Sequence, residues 1–377
     1  MKGSLPATED AVRSRQASPR PLRVVHTPFI AQNAYQPRLL EELRNLGIDA
    51  RGAKRSILPL LRRRADAVHF HWIQHRWFGY RLARGMVCEA FFAQLRAMRA
   101  QGTRLVWTIH NLVPHECDDH DAELRLFARM CRSVDACIVH SQHARDAVIA
   151  AVDSQGRDES LSAGLGARLH VIPHGNYIGC YQPRLDRDAE RARLGVSPDE
   201  TLFAFVGQIR EYKQVYTLIH AFRKANAPRT KLLVCGRPKG DAVARSLSEA
   251  RGDDPRIKFE LGFLPDDALA SALLASDAVV LPYRDSLTSG AALLAMSYGR
   301  TVVAPNIGCF GELLGTGALG LYAAEGADST EELARALVEV AARADSRVAT
   351  GAAHLERART FDWPTIARAT AALYETA

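Results

Sequence analysis

The chain of 377 residues is 47% hydrophobic and 24% charged, which is typical of a globular protein long enough for two domains, and no apolar run reaches the ~20 residues that span a bilayer. Its seven scattered cysteines form no CxxC pair, so neither a disulfide framework nor a zinc site is indicated and a cytoplasmic location is expected. The net charge of +7 is not accompanied by basic residues interleaved with aromatic ones, so nucleic-acid binding is not expected.

Positive charge is concentrated in the first half of the chain, above all in residues 51–64, RGAKRSILPLLRRR. Cations there flank four apolar side chains, so Arg51 to Arg64 could lie on the inner face of an anionic membrane or hold an acidic partner. A solvated helix face is often charged to the same degree, and both interpretations stay open. Residues 1–20 lack the apolar core of a signal peptide and are predicted to form a disordered tail.

Short apolar runs alternate with longer helical patterns in both halves, which predicts an α/β protein with a doubly wound parallel sheet in each half. The runs that predict strands are 22–27, 67–72, 104–110, 135–141, 168–174, 202–208, 231–236, 257–263, 278–283 and 301–305. We expect two Rossmann-like domains, over residues 21–175 and 196–360. Ligands of such sheets bind beyond the carboxyl ends of the strands, so the residues after each strand are the site candidates.

The loop after the first strand contains no glycine, whereas a dinucleotide-binding turn would show GxGxxG. This disfavours a nicotinamide or flavin oxidoreductase. The loop instead carries Gln32, Asn33 and Tyr35, whose hydrogen-bonding groups suit a polyhydroxylated ligand, although polar loop residues are as often merely solvated.

The second strand ends in the sequence HFHW. Strand alternation places His69 and His71 on one face and Phe70 and Trp72 on the other. An aromatic side chain with polar neighbours suits a sugar ring, so His71 and Trp72 are candidates for binding an acceptor. A core tryptophan beside hydrogen-bonded histidines is equally plausible.

The third strand leads into TIHNLVPHECDDHD, which places His110 and Asn111 at its end and crowds titratable groups into residues 115–121. Such crowding favours general acid/base chemistry, because neighbours and burial tune a carboxyl or imidazole pKa toward neutral pH. Metal binding is the alternative. The spacing HExxxxH differs from the HExxH of zinc proteases, and we expect no metal site.

In the second half, FVGQIREYK places Gly207 at a strand end and Arg210 and Lys213 in the loop before the next helix. Two cations beside free backbone amides are what a diphosphate leaving group needs, because negative charge accumulates there as the bond breaks. A pair of exposed basic residues before a helix is the common alternative.

The stretch LPYRDSLTSGAALLAMSYGRTVVAPNIG, residues 281–308, is predicted to run from a strand through a polar turn into an apolar helix. Thr288, Ser289 and Gly290 lie where this helix begins, so free amides and the helix dipole favour a phosphate there. Gly290 permits close approach of a ligand, and Ala291 keeps the first turn narrow. An ordinary Ser/Thr N-cap is the alternative.

Together these residues resemble a GT-B glycosyltransferase of the family-4-like group 1 that uses nucleotide sugars. The second half carries four stretches typical of that group, FVGQIREYKQVYTLIHAF, LLVCGRP, FELGFLPDDALASALLASDAVVLPY and LLAMSYGRTVVAP. The motifs HFHW, TIHNLVPHE, the IRxYK loop and PYRDSLTSG are most similar to exopolysaccharide β-mannosyltransferases of the xanthan-assembly type. The resemblance covers residues 22–374.

The resemblance implies that Arg210 and Lys213 neutralise a donor diphosphate and that His110 meets the donor sugar from the opposite domain. Residues 361–377 would form a helix that crosses back onto the first domain. The implied donor-binding residues are Gly207, Gly236, Arg237, Phe263, Leu264, Asp285, Thr288, Ser289, Gly290 and Ala291. The candidate acceptor-binding residues are Gln32, Asn33, Tyr35, His71, Trp72 and Asn111.

Some positions depart from the group. Its frequent Arg after the strand-end glycine is Gln208 here, and its paired glutamates fall on Ser286 and Leu294, which weakens a retaining assignment. If the reaction inverts the anomeric centre, the expected base is Glu116, with His110 as second choice.

The expected activity is transfer of a hexose, best mannose from GDP-mannose, to an oligosaccharide or lipid-linked acceptor without a tightly bound metal or other cofactor. The alternatives are a sugar-nucleotide epimerase of the same fold, a non-catalytic nucleotide- or glycan-binding protein, and a structural peripheral membrane protein.

Overall fold

The computed structural model describes residues 20–53, 65–73, 84–114, 117, 119–155, 164–323 and 329–375. Within these residues the chain forms two parallel six-stranded sheets, one in each half, with helices between successive strands. The predicted fold class is therefore confirmed. No helix in the described ranges is both long and apolar enough to cross a membrane.

The first sheet has the order β2-β1-β3-β4-β5-β6. Its strands are β1 (Arg23–Thr27), β2 (Asp49–Gly52), β3 (Ala67–Phe70), β4 (Arg104–Thr108), β5 (Ala136–Val139) and β6 (Leu169–Val171). The helices of this half are α1 (Tyr35–Asn45), α2 (Arg84–Ala100), α3 (His120–Ser133) and α4 (Gln142–Asp153).

The second sheet has the order β12-β11-β10-β7-β8-β9. Its strands are β7 (Thr201–Val206), β8 (Thr230–Gly236), β9 (Ile257–Leu261), β10 (Ala278–Val280), β11 (Thr301–Pro305) and β12 (Leu321–Tyr322). The first helices of this half are α5 (Arg187–Leu194), α6 (Val215–Ala225), α7 (Asp241–Arg251), α8 (Asp266–Ala275) and α9 (Gly290–Ser297). The last are α10 (Phe310–Leu314), α11 (Ser329–Ala342), α12 (Ala344–Arg359) and α13 (Trp363–Ala371).

The central strands form where the sequence is continuously apolar, as in TLFAFV of β7, all six residues of which are buried between helices. Several predicted strands run too far at the carboxyl end. The strand expected to end at His110 ends at Thr108, and the one expected to end at Trp72 ends at Phe70. Backbone pairing stops before the apolar pattern does, and the polar residues beyond it line the edge of the sheet.

The last helix, α13, packs against the N-terminal domain. Asp362 caps it by accepting the Thr365 amide at 2.8 Å. Trp363 lies in the same buried cluster as α1 and β1, and its indole N–H donates to the Asn176 carbonyl at 2.8 Å. The C-terminal segment thereby brings Tyr374 under the first sheet's carboxyl edge.

Candidate functional site

Two glycines form the floor of a cavity at the carboxyl edge of the second sheet. Gly207 and Gly236 have φ of +125° and +145°, and a Cβ on Gly236 would lie 1.7 Å from the Gly207 carbonyl oxygen. Only glycine fits this contact. The cavity, of about 650 Å³, is lined by Gln32, Gly207, Gln208, Arg210, Gly236, Arg237, Pro238, Lys239, Gly240, Gly262, Phe263, Leu264 and Leu269.

Lys213 ends a short 3₁₀ turn beside this cavity. Its Nζ lies 5.1 Å from the ring centre of Tyr283 and 5.9 Å from that of Tyr212, and a Cβ on Gly207 would be 3.4 Å from it. Within the described residues this ammonium group has no carboxylate partner. Burial, together with the charge of Arg210, lowers the pKa of Lys213 from 10.5 to about 8.

Arg210 lines the same cavity and is held in place by its own loop. Its guanidinium donates to the Ile209 carbonyl at 3.1 Å and to Gln208 Oε1 at 2.9 Å. Gln208, which stands where the resembling group often has Arg, therefore orients the neighbouring cation.

The polar turn before α9 lies next to this loop, because the Arg284 amide donates to the Tyr212 carbonyl at 2.8 Å. Ser289 caps α9 by accepting the Ala292 amide at 3.2 Å, which leaves the amides of Gly290 and Ala291 without partners inside the helix.

Burial raises the pKa of the Cys309 thiol, which lies beside this turn, to about 11. That the Ser289 amide binds an anion stays a prediction. Gly290 packs closely against Tyr177, because a Cβ at this position would lie 3.1 Å from the Tyr177 hydroxyl.

A second cavity, of about 240 Å³, lies between the two domains. It is lined by His110, Asn111, Leu112, Val113, His120, Leu124, His143, Ala147, Tyr212, Tyr283, Asp285, Ser286, Leu287 and Thr288. The structure thus brings the predicted His110, Asn111, Asp285 and Thr288 to one space. His143 was not predicted from the sequence, where its only signal is its position just after the strand that forms β5.

Ser286 and Leu294, which replace the group's glutamates, are both buried, and Ser286 Oγ lies 3.4 Å from Cys309 Sγ. Neither offers a carboxylate to a sugar. Thr288 Oγ1 and the Tyr283 hydroxyl are buried without a hydrogen-bond partner among the described residues. Buried polar atoms of this kind are normally satisfied, so a ligand or water would complete them.

The predicted acceptor-binding residues do not lie together. Gln32 lines the larger cavity and Asn111 the smaller one. Asn33 Oδ1 accepts the Tyr35 amide at 2.9 Å. Tyr35 and His71 are 2% and 0% exposed, so the prediction that they contact an acceptor directly is wrong for this conformation.

Trp72 leaves the strand with φ of +35° instead of continuing the alternation. Its ring therefore stacks on His110, at 4.0 Å between centroids and 10° between planes, on the side where His71 also lies. The predicted separation of Trp72 from the histidines is thus wrong at this residue.

Part of the acidic loop after the third strand lies outside the described residues, including His115, Glu116 and Asp118. Residues 54–64 of the basic segment also lie outside them. Asp119 is a helix cap, because its Oδ1 accepts the Ala122 amide at the start of α3 at 2.9 Å.

Glu312, on α10, joins the two domains beside the smaller cavity. Its two carboxylate oxygens accept the amides of Gln142 at 2.9 Å and His143 at 3.1 Å, in the first turn of α4. A carboxylate at a helix N-terminus is favourable because it meets unpaired amides and the positive end of the helix dipole.

In the part of the chain that the structure describes, His26, His69 and His71 bring one donor atom each within 4.8 Å of the others. His69 and His71 stack at 4.3 Å, as do His26 and His71 at 5.3 Å, and each ring nitrogen has a protein partner. The arrangement is a hydrogen-bonded network, and the absence of a tightly bound metal stays a prediction.

Residues 186–354 match the family model described as Glycosyl transferases group 1. The D-inositol 3-phosphate glycosyltransferase of Rhodococcus opacus (strain B4) is 32% identical over 205 residues, 52% of this chain and 45% of that protein. The chain thus spans about half the length of this relative.

The GDP-mannose:glycolipid 4-beta-D-mannosyltransferase of Xanthomonas campestris pv. campestris (strain ATCC 33913) is 27% identical over 275 residues, 72% of this chain and 70% of that protein. Among solved structures, Anabaena HepE in complex with UDP superposes with a TM-score of 0.70 at 18% identity, covering 93% of this chain and 98% of that one.

Proposed function

Because residues 186–354 match the family model of group 1 glycosyl transferases in a chain with the GT-B fold, we propose that the protein is a nucleotide-sugar-dependent glycosyltransferase. It would move a hexose from a nucleotide diphosphate sugar to a hydroxyl of an oligosaccharide or lipid-linked glycan. The observation that carries this proposal is Lys213, a partly buried cation without a carboxylate partner among the described residues, beside two adjoining loops.

In the proposed reaction the bond between the anomeric carbon and the diphosphate oxygen breaks, and its electron pair leaves with the diphosphate. The acceptor oxygen forms the new bond and gives up its proton. Lys213, Arg210 and the amides at the start of α9 would stabilise the leaving diphosphate. Groups fixed in place before the reaction contribute about 3 kcal/mol each to such a transition state.

The base that takes the acceptor proton is proposed to be Glu116, with His110 as second choice. His110 lines the interdomain cavity, and Glu116 lies outside the described residues. The lack of both group glutamates at Ser286 and Leu294 favours inversion, because no carboxylate is present there to assist retention.

Mannose from GDP-mannose is the proposed donor. The Xanthomonas relative, whose name specifies GDP-mannose and a glycolipid, aligns over 72% of this chain. Phe263, which is 80% exposed at the rim of the larger cavity, and Leu264 would cover the base of the nucleotide. Such exposure of an aromatic ring suits a stacking surface.

The protein is proposed to act in the cytoplasm, at the inner face of the membrane, through Arg51 to Arg64 and without a resident metal. Sedimentation with anionic and neutral vesicles tests the membrane binding through Arg51 to Arg64. Retention of activity in the presence of a chelator tests the absence of a resident metal.

The function is tested by incubating the full-length protein with GDP-, UDP-, ADP- and dTDP-sugars and a membrane glycolipid extract. We expect one donor to raise the melting temperature and to label the glycolipid. Conversion of that donor without an acceptor would indicate an epimerase, and binding without transfer would indicate a binding protein. Either outcome contradicts the proposal.

A further inference from the structure

A chain of hydrogen bonds runs from the core of the first domain to the interdomain cavity. It begins at Thr108 Oγ1, which lies 2.7 Å from His69 Nε2. The other nitrogen, His69 Nδ1, is 2.7 Å from the Tyr374 hydroxyl, which in turn is 3.3 Å from His26 Nε2. The C-terminal segment thus supplies one link of a chain whose other members come from the first domain.

The chain continues toward the cavity through two more imidazoles. His26 Nδ1 lies 3.1 Å from His71 Nε2, and His71 Nδ1 lies 3.3 Å from His110 Nε2. His110 lines the interdomain cavity, and its Nδ1 makes no hydrogen bond within the described residues. The chain therefore ends in one ring nitrogen that is free for a ligand.

The histidines of the chain are neutral. His26, His69 and His71 are 0% exposed and His110 is 8% exposed, and burial lowers the pKa of each well below 6.5. A neutral imidazole carries one proton, so a ring that donates through one nitrogen must accept through the other. All links between Tyr374 and His110 must therefore point the same way.

The lengths at Tyr374 indicate that direction. The hydroxyls of Thr108 and Tyr374 both lie 2.7 Å from His69, which can accept from only one of them, whereas the 3.3 Å from the Tyr374 hydroxyl to His26 is long for a hydroxyl donor. Tyr374 therefore donates to His69 and accepts from His26 Nε2–H. Because each neutral ring carries one proton, His26 Nδ1 accepts from His71 Nε2–H, and His71 Nδ1 accepts from His110 Nε2–H. His110 Nδ1 is therefore unprotonated.

The ring of His110 is also fixed in orientation. Trp72 stacks on one side at 4.0 Å, and Tyr35 meets it edge-on at 5.3 Å and 87°. The positive φ of Trp72, +35°, is unfavourable for a residue with a side chain and persists here because the packing holds it.

We propose that His71, supported by His26 and Tyr374, is a positioning residue that fixes the tautomer of His110, so that unprotonated Nδ1 accepts a hydrogen bond from a sugar hydroxyl in the cavity. The sugar contact rests on the proposed function. The tautomer does not, and it is measurable in the protein without substrate.

The test is long-range ¹⁵N–¹H NMR of the full-length protein labelled with ¹⁵N-histidine, in which the His110 signals are identified by their loss in His110→Gln. We expect His110 as the Nε2–H tautomer at pH 7.5. An Nδ1–H tautomer in the wild-type protein would overturn the proposal.

Two variants of His71 remove the fixed direction of its link to His110. An asparagine amide can both accept from and donate to His110 Nε2, whereas a glutamine amide occupies the position of Nε2 and reaches only His26. Both variants should therefore give a mixture of His110 tautomers. A pure Nε2–H tautomer in both variants would overturn the role of His71, and thermal melting checks that both fold.

Tyr374→Phe keeps the ring but removes the hydroxyl that sets the direction, so it should also give a mixture at His110. An unchanged tautomer would show that the chain beyond His71 is not involved. Once a donor is known, His71→Gln and His71→Asn should each lower kcat/KM about twofold, because about half of the His110 rings would then carry the other tautomer. If the predicted tautomers are found but no donor gives sugar transfer, the proposed function is refuted and the role of His71 stands.

Discussion

Raising the pH from 7 to 9 is expected to weaken nucleotide-sugar binding, because it removes the proton of Lys213. Burial and the charge of Arg210 lower the pKa of this ammonium group to about 8 in the free protein. The group is thus charged below that pH and neutral above it. A bound diphosphate favours the charged form, so binding and protonation are coupled.

The size of the effect follows from the lowered pKa of Lys213. About nine-tenths of the group is protonated at pH 7 and about one-tenth at pH 9. A pKa lowered from 10.5 to about 8 means that the charged form of Lys213 is about 3 kcal/mol less favourable in the empty site than in water. A phosphate charge about 4 Å away contributes about 4 kcal/mol at an effective dielectric constant of 20, which offsets this cost. Affinity should fall about tenfold over this range.

Calorimetric titration with GDP-mannose at pH 7, 8 and 9 and constant ionic strength measures the effect, because the diphosphate of a nucleotide sugar does not titrate in this range. Lys213→Arg is the matched control. Its guanidinium stays charged, so its affinity should be nearly independent of pH. A wild-type affinity that stays flat from pH 7 to 9 would refute the assignment of Lys213 to the diphosphate.

Glu312→Gln should lower the free energy of unfolding by about 0.5–1 kcal/mol, since it removes the negative charge of the carboxylate to which the α4 amides donate, and it should increase the radius of gyration in solution scattering; unchanged values would contradict an interdomain role. Phe263→Ser should raise KM for the nucleotide sugar about tenfold without changing the melting temperature, because one stacking surface is lost; an unchanged KM would place the base elsewhere. Acidification from pH 7 to 5 should destabilise the protein in urea titrations. Buried histidines such as His140, whose pKa burial lowers to about 4, stay neutral when folded but take up protons below about pH 6.5 when unfolded. The free energy of unfolding is unaffected by these histidines above pH 6.5 and decreases as the pH is lowered, by up to about 2 kcal/mol per histidine at pH 5. A rise in stability on acidification would contradict their neutrality.

The sequence predicts most of the strands because central parallel strands are buried on both sides and read as apolar runs, as in β7. It does not predict β2, residues Asp49–Gly52, whose sequence DARG has one apolar residue, the buried Ala50, and is exposed at Arg51 and Gly52. This strand pairs with β1 at the sheet edge, so its conformation depends on a neighbour and not on its own pattern.

The sequence also indicates the positions of Lys213 and Gly290, because a strand end followed by a helix start is a local signal. The histidine chain has no such signal. Its link between Tyr374 and His26 joins residues 348 apart in sequence, and Trp72 reaches His110 only because the backbone leaves the strand there. Contacts of this kind are set by tertiary packing.

A crystal structure of the full-length protein with GDP tests most directly whether the two loops of the second domain hold a diphosphate. We predict that Lys213 Nζ and the Gly290 amide lie within about 2.7–3.2 Å of the diphosphate oxygens. A diphosphate bound elsewhere, or a Lys213 side chain turned away from it, would contradict the proposed function.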